Sequence, residues 1–211
     1  MNILEELSQS LQRGVDKDVV AHTQKAIDSG LAVKQILDDG LIAGMSIVGE
    51  RFKKHELFLP HVLLAAKAMY AGLDLLKPLM LKEGIPTLGK VVIGTVHGDL
   101  HDIGKNLVGI MLKGAGFEII DLGKDVPAEN FVEAAIAENA QVIGLSALLT
   151  TTMPTMKQVV DLATEQNVRD KFKIVIGGAP LSDEYAQEIG ADAYCFDAVS
   201  AVDRVKQFVE N

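Results

Sequence analysis

Apolar residues recur every three or four positions as far as Lys77, and beyond residue 89 they gather into short blocks separated by turns. The segments "VVAHTQKAIDSG", "LAVKQILDDGLIAGMSIVGERF" and "LPHVLLAAKAMYAGLDLLK" carry the helical period, with Gly30, Gly40 and Pro60 as breaks. Together with "ILEELSQSLQ" they predict four or five helices ending at Lys77. The following "PLMLKEGIPTLG" has two prolines, two glycines and no periodicity, which predicts a connection between domains. The expected division is a helical domain with its linker over 1–88 and a second domain over 89–211.

In the second part the blocks "KVVIGTV", "FEIIDLG", "QVIGLSAL", "FKIVIGG" and "ADAYCFD" alternate with helical patterns such as "KNLVGIMLKGAG" and "AENFVEAAIAENA". Continuous apolar strands alternating with helices predict an α/β domain with a parallel sheet of about five strands. An open, doubly wound sheet binds ligands at the carboxyl ends of its strands, where the strand order reverses. The stretch "GTVHGDLHDIGKN", residues 94–106, falls at that edge.

Composition narrows the functional classes. The net charge of −9 argues against a phosphate-binding surface, so nucleic acid is not an expected partner. Cys195 is the single cysteine and has no disulfide partner, and no charged-then-apolar leader precedes the first polar segment. A cytoplasmic location is expected. The apolar blocks fall below the roughly 20 residues of a spanning helix, so no membrane is expected either.

Three readings compete for "GTVHGDLHDIGKN". It is a plain turn whose aspartates cap the next helix and whose glycines permit positive φ, or a phosphate cradle, or a metal site. The cradle lacks both G-x-G-x-x-G and G-x-x-x-x-G-K-[ST]. For a metal, histidine is the commonest side-chain ligand and its other ring nitrogen is commonly oriented by a carboxylate, which Asp99 could supply to His101. A protein-only zinc cage needs three or four ligands, and His22, His55 and His61 are scattered through the helical part. One histidine suffices where a macrocycle provides the other ligands.

With its D-x-H-x-x-G motif in "GDLHDIGKN", the chain resembles the corrinoid proteins of cobalamin-dependent methyltransferase systems and is similar to the cobalamin-binding region of methionine synthase. The resemblance runs over residues 1–208 and implies a helical cap followed by a flavodoxin-like domain. It implies cobalamin or a related corrinoid bound base-off, with His101 as the lower axial cobalt ligand and Asp99 accepting a hydrogen bond from its ring. Asp102, Ile103 and Gly104 complete the motif, and Gly104 would let the chain pass close to the cofactor's nucleotide tail. "GLSALLTTT" corresponds to a second family segment, which implies that Ser146, Leu148 and Thr150 lie near the corrin and nucleotide. Thr152 stands where methionine synthase has a serine linked to the Asp–His pair. Gly177 and Gly178 of "GGAP" would leave space around the tail. "VGERFKKHELFLPHVLLAAKAM" aligns with the cap, implying that Phe52, Leu59 and Val62 face the methyl position; bundle core is an equal alternative for Val62. His97 lies outside the signature and is not an expected ligand.

The function implied is a methyl carrier, non-catalytic alone. It would accept a methyl group on cobalt(I) from a substrate-specific methyltransferase and pass it to a second methyltransferase acting on tetrahydrofolate or coenzyme M. A reductive activase is the other implied partner. Two alternatives share the motif: the cofactor domain of an adenosylcobalamin mutase, and a cobalamin-responsive regulatory module. The cap residues Phe52 and Leu59 speak against the first, and a helical domain beginning almost at Met1 against the second.

Overall fold

A computed structural model of the chain describes residues 2–210. It divides into two compact units, one holding the chain up to Pro86 together with Gly114–Gly116, the other Thr87–Lys113 and the chain from Phe117 onward.

The helical unit contains α1 (Ile3–Gln12), α2 (Asp16–Asp28), α3 (Val33–Gln35), a π-helical stretch Ile36–Ile42, α4 (Ala43–Lys53) and α5 (Leu59–Glu83). A capping box starts α1: Asn2 Oδ1 accepts the Leu4 N–H at 3.2 Å, and Glu5 Oε2 accepts the Asn2 N–H at 3.1 Å. Leu4, Leu7 and Leu11 then form a buried stripe at helical spacing. Gly40 does not break the chain as its position suggested. It lies within an uninterrupted helical run from α3 to α4, where a Cβ would come within 2.6 Å of Leu7.

Pro60 and Pro78 also differ from expectation. Pro60 occupies the first turn of α5, where no N–H partner is required. Pro78 lies inside α5, which continues to Glu83 instead of ending at Lys77; it forfeits one backbone bond without stopping the helix. The stop is Gly84 at φ 64°, whose N–H, with that of Ile85, reaches back to the last carbonyls. The result is a 25-residue helix long and apolar enough, by length and composition, to cross a membrane. Val62, Ala65, Ala66, Ala68, Met69, Gly72 and Leu76 are buried along it, as in a core helix.

The sheet unit runs β1 (Lys90–Thr95), α6 (Ile103–Gly114), β2 (Glu118–Asp121), α7 (Ala128–Glu138), β3 (Val142–Ser146), α8 (Pro154–Glu165), β4 (Lys173–Gly177), α9 (Asp183–Ile189), β5 (Ala193–Cys195) and α10 (Ala198–Glu210). All strands are parallel in the order β2-β1-β3-β4-β5, the flavodoxin-like arrangement. After β1 the chain winds to one side to form β2, and after β2 it crosses back to form β3. The loops following β1 and β3 therefore stand side by side at the carboxyl edge.

Under the sheet, Phe131 of α7 is fully buried with Val92, Ile143, Leu145, Met156, Ile174 and Ile176. Its ring lies on β1 where Gly94 has no side chain; a Cβ there would sit 2.6 Å from the ring. Phe131→Ala is expected to destabilise the sheet unit by about 3–5 kcal/mol, the usual range for emptying an aromatic core site. Denaturant unfolding followed by circular dichroism checks this, and an unshifted midpoint would count against the packing described.

Candidate functional site

Thr95 ends β1, and the chain leaves the sheet through Gly98 at φ 82°. Asp99, next in the loop, is completely buried. Its Oδ1 accepts the backbone N–H of His101 at 3.0 Å and lies 2.7 Å from His101 Nδ1. Its Oδ2 accepts the backbone N–H groups of Leu148 at 2.8 Å and Leu149 at 3.2 Å, and the Thr152 hydroxyl at 2.9 Å. The first bond is a local Asx turn. The last three come from the loop after β3 and exist because β1 and β3 are neighbours.

Burial is the strongest single influence on Asp99 and pushes its carboxyl group up. The hydrogen bonds from the His101 and Leu148 backbones, the His101 ring and the Thr152 hydroxyl together outweigh it and hold the group well below the usual carboxylate range. An ionised carboxylate only accepts, so the proton between Asp99 and His101 belongs to Nδ1, which in the uncharged tautomer puts the lone pair on Nε2. The His101 side chain is 53% exposed. Its own carbonyl accepts the Thr95 hydroxyl at 3.1 Å. The site thus offers one oriented imidazole nitrogen to a Lewis acid. Among the described residues no three His, Cys, Asp or Glu side chains cluster to hold a metal ion. A metal here must bring its other ligands with it.

Around His101 the sheet edge is apolar. Leu100, Ile103, Leu148 and Leu149 are all exposed, and farther along the same carboxyl edge, after β5, so is Phe196, by 82%. Large apolar groups gathered on one exposed edge suit the face of a mostly apolar ligand. Gly104, in the first turn of α6, is the second fitting feature: a Cβ there would meet nothing within 4 Å, and its φ is not left-handed. Neither packing nor backbone conformation requires that glycine. A Cβ on Gly177 would meet only the Cys195 carbonyl, at 3.4 Å. Gly178 has a reason within the fold itself, because at φ 142° its Cβ would fall 1.8 Å from the Ala147 carbonyl oxygen.

At this edge the structure gathers Asp99, His101, Asp102, Ile103, Gly104, Ser146, Leu148, Thr150, Thr152, Gly177 and Gly178. Ser146 ends β3, and its carbonyl accepts the Val96 N–H at 3.0 Å. Phe52 and Leu59 lie half-buried in the helical unit, and Val62 is fully buried there, as bundle core requires. Sequence reasoning passed over Leu100, Leu149, Thr95 and Asp125, whose Oδ1 lies 2.8 Å from His97 Nδ1. Asp125 alone carried a signal: it is an acid between the end of a strand block and Pro127. Burial pushes the Cys195 thiol up to about 11, so it is no nucleophile at neutral pH.

Residues 89–206 match a B12 binding domain family, and residues 3–77 match a second one of the same description. The chain belongs to the corrinoid proteins of cobalamin-dependent methyltransferase systems. It is 47% identical over 210 residues to a dimethylamine corrinoid protein of Methanosarcina barkeri, covering 97% of this chain and 98% of that one. A corrinoid protein of Desulfitobacterium hafniense is 45% identical over 207 residues, covering 96% and 95%. Among solved structures, the methanol:cobalamin methyltransferase complex of Methanosarcina barkeri matches with a TM-score of 0.89 at 31% identity, over 99% of this chain and 80% of the matched chain.

The Asp99 hydrogen bonds give a prediction for this corrinoid protein. In Asp99→Asn one side-chain oxygen becomes a donor facing other donors, which should lower stability at neutral pH by about 1–3 kcal/mol. The native carboxyl titrates below its unfolded value, so its contribution is complete above about pH 4 and disappears as pH falls further. Unfolding free energies measured at pH 7 and pH 3 should show the gap between the two proteins narrowing at the lower pH. A gap of equal size at both would contradict an ionised Asp99.

Proposed function

We propose that this corrinoid protein is a methyl carrier that binds its cofactor base-off, with His101 Nε2 as the lower cobalt ligand. The observation that carries the proposal is the buried, ionised Asp99, which keeps the proton on Nδ1 and leaves Nε2 available. When bound, the corrinoid supplies a cobalt centre able to accept a methyl group and give it up again. The protein's part is to hold and tune that centre. Asp99 orients the imidazole, and the Thr152 hydroxyl and the Leu148 and Leu149 amides set how much of the carboxylate's charge reaches the ring. Leu100, Ile103, Leu148 and Leu149 offer the apolar surface for the ring system. Gly104 and Gly177 leave room for the nucleotide tail. In this reading Phe52 and Leu59, half-buried in the helical unit, are the side chains the family likeness offers as cover for the methyl group.

The likeness to methylamine corrinoid proteins and to the corrinoid subunit of a methanol methyltransferase complex supports a separate, substrate-specific methyltransferase as donor partner. A second methyltransferase, with tetrahydrofolate or coenzyme M as acceptor, and a reductive activase complete the proposed cycle. The motif's chemistry calls for no other catalytic group in this chain.

Two outcomes are expected. Reconstituted with methylcobalamin, the unmodified protein and His97→Ala should both give the absorption spectrum of a histidine-ligated corrinoid. His101→Ala should give a base-off spectrum and bind more weakly, by about 10-fold or more given the usual effect of disturbing a ligand. Retention of the ligated spectrum by His101→Ala would overturn the assignment. Under reducing conditions the reconstituted protein alone should show no repeated turnover of methylamines or methanol; sustained turnover without a second protein would refute the carrier role.

A further inference from the structure

His101 is not the only histidine of this loop whose Nδ1 meets a carboxylate. His97 Nδ1 lies 2.8 Å from Asp125 Oδ1, and the same oxygen accepts the Gly98 N–H at 2.8 Å. Asp125 comes from the loop between β2 and α7 and has φ 58°, a left-handed conformation uncommon for any residue with a side chain. Held that way, its own N–H donates to the Asp99 carbonyl at 3.1 Å. The neighbouring backbone is joined in register: the Thr95 N–H donates to Gly123 O at 2.9 Å, the Val126 N–H to Thr95 O at 3.0 Å, and Val96 bridges Val126.

Asp99 is therefore gripped from two directions. Its Oδ2 is held by the loop after β3, while Asp125 holds the Gly98 N–H one peptide before it and the Asp99 carbonyl just after it. Any rotation of the Gly98–Asp99 backbone would turn the carboxylate away from Leu148, Leu149 and Thr152 and take the His101 ring with it. Gly98, at φ 82°, is the joint where that rotation is easiest.

The geometry points to Asp125 as a second positioning residue for His101, acting through the backbone of the loop and not through the ring. It rests on the proposed role of His101 as cobalt ligand. His97 is then the outer partner of the same carboxylate, which accounts for a second His–Asp pair four residues before the ligand without giving it a ligand's task. The His97 and Asp125 side chains are 65% and 50% exposed, so the pair adds little to global stability. Its effect belongs in the orientation of His101.

Two variants separate conformation from hydrogen bonding. Asp125→Gly accepts φ 58° without strain but has no carboxylate. Asp125→Asn tolerates the same φ and keeps an oxygen for the Gly98 N–H. In the cofactor-free full-length protein, Asp125→Gly is expected to exchange the Gly98 amide about 10-fold faster, the equivalent of one net hydrogen bond, with an unchanged melting temperature. Reconstituted with methylcobalamin, it should bind about 3- to 10-fold more weakly, short of the 10- to 100-fold typical of a carboxylate touching the ligand, and show a larger histidine-off fraction in its spectrum. Asp125→Asn should match the unmodified protein in both measurements. An unchanged spectrum and affinity in Asp125→Gly would overturn the proposal, even if exchange is faster. So would an Asp125→Asn as defective as the glycine variant, because charge and not the backbone grip would then be at work. If the unmodified protein itself shows no histidine-ligated spectrum, the ligation reading fails on its own. The nitrogen-15 signal of the His101 ring in the cofactor-free protein then decides the grip, and no shift in Asp125→Gly would overturn it.

Discussion

An ionised carboxylate in a dry interior is tolerable only when its oxygens are fully occupied by donors. Asp99 meets that condition with two donors from its own loop and three from the loop after β3. The requirement runs in both directions. The carboxylate stays charged because the two loops converge, and the loops keep their conformation because pulling them apart would expose an unpaired buried charge. The strand order brings this about: β1 and β3 are adjacent, so residues about fifty positions apart in the chain end at the same point of the sheet edge.

The far end of the same loop is tied by an ion pair. Lys105, almost fully buried in the first turns of α6, bonds both oxygens of Asp121 at 2.7 and 2.6 Å and Asn106 Oδ1 at 2.6 Å. Asp121 closes β2 and also accepts the Gly123 N–H at 2.9 Å, so α6 begins at a fixed distance from the strand beside β1. Between these anchors the protein leaves its apolar groups uncovered and places a glycine at Gly104 that its own packing does not need. Exposed leucines and an unsupported helix glycine each work against stability. Their concentration at one edge fits a surface that a ligand completes.

The histidines illustrate what makes an imidazole a metal ligand. His22 bonds the Ser10 hydroxyl at 3.1 Å with Glu6 3.8 Å from its other nitrogen, a Ser–His–acid sequence of contacts resembling a nucleophilic site. Ser10 is completely buried, however, and its proton goes to the Glu6 carbonyl at 2.9 Å, so nothing there attacks a substrate. His97 faces a carboxylate that is half in water and offers weak orientation. Among the described residues only His101 combines an exposed ring with a partner buried completely and held ionised. The number of histidines mattered less than the burial of the acid behind one of them.

Periodicity alone placed helices before strands, and the alternating apolar blocks were enough for a parallel α/β sheet, because the central strands β1, β3 and β4 are buried along most of their length. The short-range part of the site was equally legible: Asp99 and His101 are two residues apart, and an Asx turn needs nothing from the rest of the fold. Helix ends were less so, since Pro78 and Gly40 act through backbone bonds and close approaches that no local pattern records. The donors of Leu148 and Leu149 and the grip of Asp125 were invisible for a stronger reason. Backbone N–H groups are the same in every residue except proline, so a sequence cannot say which of them will meet a carboxylate. Strand order makes that choice, and strand order is settled by packing across the whole sheet.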